Sequence, residues 1–472
     1  MDILLFLPET ILSALIFLYL CLALAKKELS PKTLTRLAGL GAFVVLVSVV
    51  YSMNFSGQLF HGTYRSDLLS QCFKALIGLG LLLTVLLSGS PLAVPGSRAL
   101  EYFVFLFSAT LGMMMISSSV DLLTLFVSME LSSYSLYLLT ALRLDRRNAE
   151  SSVKYLILGA AGSGVFLWGA SLVIGLSGTA SFAGLIQSPA SAQPAFLLGL
   201  VFILFAFLFK LSAAPMHFWA PDVYESAATP VTNFIATASK AAAVAILVRF
   251  LMSSGVSAAL AGLLGVFAFI SMTLGNTAAL LQKDVKRLLA YSSIAQAGYI
   301  LVGLLAGTPE GYASSLFYAA AYLLMNTGVF LVVHLVAKAL KHDNPQLAHF
   351  DGLAERSPKL ALLLLLSLLS LAGIPPLAGF TGKWILFSAA MDQGHWFLVL
   401  WAVLNSVVSL FYYLTLAKHA YLEKPSTKEP IVLTGPMKSL GFGLLLSIIA
   451  LGIFPDLFIS LAQKAVSGAL IP

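Results

Sequence analysis

Charge is what this chain has least of. Asp, Glu, Lys and Arg together make up 10% of its 472 residues, while 59% are hydrophobic. That balance excludes an ordinary soluble globular protein and predicts an all-α polytopic membrane protein. Cysteine is nearly absent. Cys21 and Cys72 lie far apart in apolar sequence, which leaves no disulfide framework and no metal-ligand spacing. There is no Cys-x-x-Cys, no P-loop, no Gly-x-Gly-x-x-Gly in a strand–helix setting, and no histidine pair placed for haem. The expectation is therefore no redox cofactor, metal or nucleotide within this chain. The opening Met1-Asp-Ile-Leu-Leu lacks the basic stretch of a cleavable signal peptide and reads as a retained first helix. The net charge of +7 points to basic loops that orient the chain in a lipid bilayer, with no call for nucleic acid.

Long apolar runs fill the rest. A helical span needs about 20 such residues. About fourteen runs qualify, near 3–24, 34–54, 68–88, 101–118, 120–141, 152–175, 196–220, 229–251, 257–281, 288–306, 312–338, 359–391, 395–420 and 437–463. Their connections are short. The longest, Glu423 to Lys438, has room for an amphipathic segment along the surface. Nineteen basic residues fall in or beside alternate loops: Lys26, Lys27, Lys32, Arg36, Arg98, Arg143, Arg146, Arg147, Lys283, Lys286, Arg287, Lys338, Lys341, Arg356, Lys359, Lys418, Lys424, Lys428 and Lys438. The opposite loops and ends hold little beyond Arg65 and Lys464. The positive-inside rule then places the first set in the cytoplasm and both termini outside.

Six basic residues stay outside that pattern. Lys74 and Arg249 lie near span ends and are expected to snorkel to the surface. Lys154, about 10 Å deep, is open between an ordinary ion pair and a working role. The others are deep. Glu130 lies nine residues after Asp121 and thirteen before Arg143, and Lys210, Lys240 and Lys383 sit at similar depths in three other runs. An ionisable group at mid-bilayer costs about 3–15 kcal/mol by different measures, so such groups meet polar partners or water. An inert Glu130–lysine pair would still leave two lysines without a reason. Three lysines and a carboxylate point to a route for protons or cations.

Two spans are interrupted by proline: Lys210-Leu-Ser-Ala-Ala-Pro215-Met-His217 and Ser370-Leu-Ala-Gly-Ile-Pro375-Pro376, each with a buried lysine alongside. Proline removes an intrahelical hydrogen bond, and the freed carbonyls persist at membrane depth where protein or water satisfies them. Paired interruptions 160 residues apart point to an internal repeat with ion sites at the breaks. His217, just beyond the first break, is either a proton relay or a locally bonded histidine. His334 and His419 read as interfacial.

These segments carry a resemblance. Ala214-Pro-Met-His-Phe-Trp-Ala-Pro-Asp-Val-Tyr-Glu225 and Thr229-Pro-Val-Thr-Asn-Phe-Ile-Ala-Thr-Ala-Ser-Lys240 resemble the antiporter-like subunits of respiratory complex I. Gln282 to Tyr299 looks like the segment leading into that family's tenth helix, and Gly373-Ile-Pro-Pro-Leu-Ala-Gly-Phe-Thr-Gly-Lys383 looks like its broken twelfth helix. The likeness runs from about 100 to 420. The Pro-Asp-Val-Tyr and Ala-Thr-Ala-Ser-Lys runs favour the N type over L and M, and the absence of a long lateral helix also excludes L. The resemblance implies 14 transmembrane helices with two inverted five-helix repeats: helices 1–3 in residues 1–100, helices 4–8 in 101–251, helices 9–13 in 257–420 and helix 14 in 437–463, broken in helices 7 and 12. It implies that Glu130 pairs with Lys210, that Lys240 connects the halves, that Lys383 lies near the exit, that Lys154 matches a sixth-helix lysine of N subunits, and that His217 follows the seventh-helix break.

The implied function is proton translocation in a proton-pumping NADH:quinone oxidoreductase. NADH, FMN, iron–sulfur clusters and quinone would belong to partner subunits, and neighbouring antiporter-like and small membrane subunits would be this chain's contacts. Three rival readings share some of these features. A subunit of a multisubunit cation–proton antiporter or membrane-bound hydrogenase would have the same fold. An independent solute transporter would need a substrate pocket, which a line of single ionisable groups does not supply. A non-conducting scaffold would be told apart by proton flux through a mutated complex.

Overall fold

The computed structural model describes residues 2–25, 30–89, 96–143, 145–189, 193–255, 257–425 and 429–470. Lys26, Lys27, Lys428 and Pro472 lie outside the described residues. The first three spans are α1 (Leu7–Leu24), α2 (Pro31–Ser52) and α3 (Leu68–Leu87), with a small hairpin, β1 (Gly57–Leu59) and β2 (Tyr64–Ser66), between the second and third. Next come α4 (Ala99–Ser118), α5 (Leu122–Thr140), α6 (Arg146–Ser177) and α7 (Pro194–Leu211). α7 breaks and resumes as the short helix Trp219–Ser226. α8 is built of Thr229–Phe234, a π-helical turn Ile235–Ser239 and Lys240–Ser254. Then follow α9 (Ala258–Ala279), α10 (Val285–Leu304), α11 (Pro309–Leu340), α12 in two halves (Pro358–Ala372 and Ala378–Asp392), α13 (Trp396–Tyr421), α14 (Gly435–Ile453) and α15 (Asp456–Leu470). Twelve helices among the described residues are long and apolar enough to cross a bilayer. α10 and the two-part α12 bring the crossings to the expected fourteen.

The starts of the helices follow local chemistry. Asp67, Asp121, Asp145, Asp284 and Thr308 each accept a backbone N–H of the first turn, which satisfies donors a helix start leaves free. Pro31, Pro194, Pro309 and Pro358 stand at first-turn positions, where no donor is lost. α8 and α11 are almost wholly enclosed by their neighbours, whereas α1, α6 and α14 present most of their surface outward. Small residues let the enclosed helices approach closely. Gly80 of α3 packs so tightly on Ala238 of α8 that a Cβ on it would lie 2.8 Å from the alanine's own. The two broken spans are five crossings apart. An odd offset runs equivalent helices in opposite directions, which is the inverted repeat the prolines pointed to.

Five local expectations are corrected by the structure. The fourteenth span does not run unbroken from 437 to 463: it ends at Ile453, and after Phe454-Pro455 the chain continues as amphipathic α15, packed on α3 and α11. The Glu423–Lys438 connection carries no helix before Gly435 among the described residues. Lys74 does not snorkel. It is fully buried and pairs with Glu9 at 2.8 Å. Arg249 does not snorkel either. Its guanidinium forks onto Asp67 at 2.9 and 2.6 Å and donates to the Ser117 carbonyl. In both cases a partner from a distant helix is nearer than the surface. His334 is likewise enclosed within α11, with Nε2 unpartnered, while His419 bonds Asp351 at 2.5 Å near the end of α13.

Candidate functional site

The α7 break leaves Lys210 in the last turn before a left-handed Ser212. Its ammonium donates to the Ser132 hydroxyl at 2.8 Å and the Met129 carbonyl at 3.3 Å, both on α5. The freed Phe209 carbonyl accepts the Trp219 indole N–H, and the Ala214 N–H is taken up by Ser271 of α9. Beside Lys210 lies a cavity of about 10 Å³, lined by Ile116, Ser132, Ser239, Ala242, Ala243 and Ile246. That is the lower limit for one water molecule.

Glu130 does not form the expected ion pair with Lys210. It is half-buried, turned toward α6, and accepts the hydroxyl of Ser163. Met129 and Ser132 present the Lys210-facing side of α5. Glu130 is one residue from Met129, about 100° around the helix, and therefore looks elsewhere. Lys154 also departs from a deep position. Half of its side chain is exposed, and it bridges Glu150 at 2.8 Å and Asp222 at 3.3 Å. His217 is buried just past the break, with Nδ1 unpartnered.

Lys240 and Lys383 are enclosed as expected. Lys240 follows the π-helical turn, donates to the Ser293 carbonyl of α10 at 2.5 Å, and lies 5.7 Å from the Tyr322 ring centroid. Lys383 lies in the second half of α12 and reaches back across the break. It donates to the carbonyls of Leu371 and Ala372 at 3.1 and 3.0 Å and lies 4.4 Å from the Tyr299 ring centroid. Those carbonyls end a helix, where the backbone lacks partners and carries partial negative charge. The break and the lysine thus answer each other. Gly373, at φ +92°, makes the turn, and any side chain on it would press on Lys383 at 3.1 Å.

Both lysines border α10, at Ser293 and, three residues on, at the carbonyl shared with Gln296. The Gln296 amide donates to the Leu371 carbonyl at 3.1 Å, the same oxygen that Lys383 uses, and to the Tyr413 hydroxyl at 3.2 Å. Tyr318 donates to the Gln296 carbonyl, and Tyr413 bonds Ser292. Sequence reasoning quoted the Gln282–Tyr299 segment but singled out none of these residues. A glutamine within an apolar run was the available signal.

At the basic ends of the helices, arginines hold the broken helix in place. Arg147 and Arg287 pair with Glu225, and Arg287 also pairs with Asp222 at 2.8 Å. Arg143 spans from the Ser226 carbonyl to Asp343 in the second half, and Lys286, fully buried, donates to the Ala227 carbonyl. The short helix Trp219–Ser226 is therefore fastened to loops of both halves.

A further cluster was not anticipated. Glu9, in the first turn of α1, bonds the Tyr64 hydroxyl at 2.7 Å and Lys74 at 2.8 Å, and Lys74 also donates to Tyr64 at 2.8 Å. All three are fully buried. Burial, reinforced by Glu9, holds the Tyr64 hydroxyl well above its ordinary value, so Tyr64 stays a neutral donor.

Two inverted units, each carrying a broken helix with an enclosed lysine, define an antiporter-like membrane subunit. Residues 119–409 match the family described as NADH:quinone oxidoreductase/Mrp antiporter, and the chain belongs to that family. It is 44% identical to NADH-quinone oxidoreductase subunit N 2 of Syntrophobacter fumaroxidans, over 98% of this chain and 99% of that one. Among solved structures it is similar to a chain of respiratory complex I from Thermus thermophilus, with a TM-score of 0.84 and 33% identity over 97% of this chain and 99% of that one. It also resembles a chain of the archaeal membrane-bound sulfane sulfur reductase, with a TM-score of 0.89 and 28% identity over 99% and 97%. The higher identity to subunit N agrees with the type read from the motifs.

Proposed function

We propose that this chain carries protons across a bacterial inner membrane as the N-type antiporter-like subunit of a proton-pumping NADH:quinone oxidoreductase. The observation that carries the reading is the enclosed row Lys210, Lys240 and Lys383, of which the last two both meet α10, Lys240 at the Ser293 carbonyl and Lys383 through the Leu371 carbonyl it shares with Gln296. Each ammonium rests on one or two neutral oxygens. A lysine held so lightly in a dry interior changes its hold on a proton when one contact moves. Lys383 does this at a helix end, where its positive charge is favoured while the two carbonyls face it and disfavoured once they turn away.

In this reading Glu130 acts on Lys210 at a distance and through the α5 segment they share, and His217 and Lys154 serve the inner approach. Lys240 passes protons from residues 101–251 to residues 257–420, and Lys383 is the last fixed charge before exit. The chain performs no redox chemistry. NADH, FMN, iron–sulfur clusters and quinone belong to partner subunits of the assembly. Both termini face the periplasm, which the alternation of basic loops supports.

The test uses the intact complex in liposomes. Lys240→Ala is expected to lower protons pumped per NADH oxidised while the complex still assembles. Parental pumping in that variant would remove the relay. Purification with cation-antiporter or hydrogenase subunits in place of quinone-reductase subunits would favour the rival assignments.

A further inference from the structure

The face of α8 that lines the Lys210 cavity does not stop there. Ser239, Ala242, Ala243 and Ile246 belong to one stripe at three- and four-residue spacing, and Arg249 continues it. Arg249 binds the carbonyl of Ser117, the residue next to Ile116 in the same cavity wall, and its fork closes on Asp67. Asp67 begins α3, three residues after Tyr64. The stripe therefore runs from Lys210 to a buried ion pair, and beyond that pair lies the triangle of Glu9, Tyr64 and Lys74.

That triangle has the marks of more than a clamp. Three titratable groups meet within 2.8 Å of one another, wholly out of solvent. A clamp would use both carboxylate oxygens, yet Glu9 Oε2 is buried and without a partner. A buried ion pair is costly to hold and often no more stable than neutral groups in its place. Its neutral form, amine plus acid, is one proton shift away. Glu9 also sits in the first turn of α1, directly before exposed Thr10, on the side of the fold that carries the hairpin.

We propose that Glu9, Tyr64 and Lys74 form a second proton-exchange site, on the outward side of Lys210, from which the first half of the chain releases protons when the Arg249–Asp67 pair opens. This rests on the proton-translocating reading above and adds an outlet to it. In the step itself an Nζ–H bond of Lys74 breaks and an O–H bond forms on Glu9, while the electron pair stays on nitrogen. Nothing is oxidised or reduced. Tyr64 keeps its own proton and holds both partners in register. Loss of the acid proton to the outer solvent, and uptake by the amine of one arriving past Arg249 from Lys210, restore the ion pair. The charged groups facing the site are Arg249, Asp67 and Arg65, the last 3.5 Å from Asp67. The N-terminal helices α1 to α3, which stand outside both repeats, thereby gain a task.

The test compares Lys74→Arg, Glu9→Gln and Lys240→Ala in the intact complex, reconstituted in liposomes and driven by NADH and quinone. Lys74→Arg keeps the ion pair but cannot release a proton. The expected result is normal assembly and a loss of protons pumped per electron. Redox-difference infrared spectra should in addition show a protonated-carboxyl band that vanishes in Glu9→Gln. If Glu9→Gln fails to assemble, the Lys74→Arg ratio decides alone. Parental pumping in Lys74→Arg would overturn the proposal and leave the triangle a clamp. If Lys240→Ala is impaired in the same series, the relay row survives that result. If Lys240→Ala also pumps normally, both readings fall.

Discussion

Lys383 performs two tasks that substitutions can separate. Its ammonium satisfies the last two carbonyls of the first half of α12, and in the proposed relay it also takes up and gives back a proton. Lys383→Ala removes both. Leu371 keeps one donor, since Gln296 still reaches it at 3.1 Å, but Ala372 loses the bond that Lys383 made. One buried carbonyl left bare costs about 1–3 kcal/mol, so the cost should fall in that range and not at twice it. Lys383→Arg behaves differently. A guanidinium beside the same carbonyls keeps the charge and the bonds, but it cannot deprotonate. Thermal dissociation of the purified complex should therefore shift downward for Lys383→Ala and stay near parental for Lys383→Arg, while proton uptake by liposomes fails in both. A Lys383→Arg complex that pumps at the parental rate would refute the reasoning and reduce Lys383 to a cap for the broken helix.

Other outcomes follow from the same geometry. Gln296→Leu removes the group that joins Tyr318 to the Leu371 carbonyl, and proton flux should drop with both lysines intact; unchanged flux would mean the lysines communicate by another path. Arg249→Ala leaves Asp67 to Arg65, 3.5 Å away, and should destabilise the assembled subunit by up to about 3–5 kcal/mol, while Arg249→Leu with Asp67→Leu should cost less. Equal losses in an urea or heat titration would contradict a buried pair. Reporter fusions at Pro472 and at Lys424 should report opposite sides of the membrane, and same-side signals would require an even number of crossings between them.

Much of the architecture was readable because membrane helices announce themselves one at a time. Each span is a local apolar run, and each break is a local proline beside small residues. The depths of Lys210, Lys240 and Lys383 followed from counting residues. What could not be read were matters of rotation and of partners far along the chain. Glu130 misses Lys210 because one residue turns a side chain about a quarter turn or more. Lys74 was expected to reach the surface from near its span end, but it finds Glu9, 65 residues before it, while Asp67 nearby is taken by Arg249, 182 residues on. Glu9 lies inside the first apolar run, and no local pattern marks it. The likeness to a family supplied roles for the midplane row. It offered nothing for α1 to α3, because the recognisable motifs begin near residue 100.

The two breaks differ in what they leave free. In the orientation proposed above, the inner piece of α7, Trp219–Ser226, is bolted by Arg143, Arg147 and Arg287 to residues of both halves, and Lys210 rides on the outer piece. In α12 the chain runs the other way, yet Lys383 again belongs to the outer piece. Each span therefore acts as a jointed lever with its charge on the outer arm, close to the joint. A small tilt of that arm moves the ammonium sideways by little, but it changes which oxygens the ammonium faces. Lys383 grips the inner arm of its own helix, whereas Lys210 grips a neighbour, α5. The first joint thus senses the distance between two helices, and the second senses its own bend together with the position of α10.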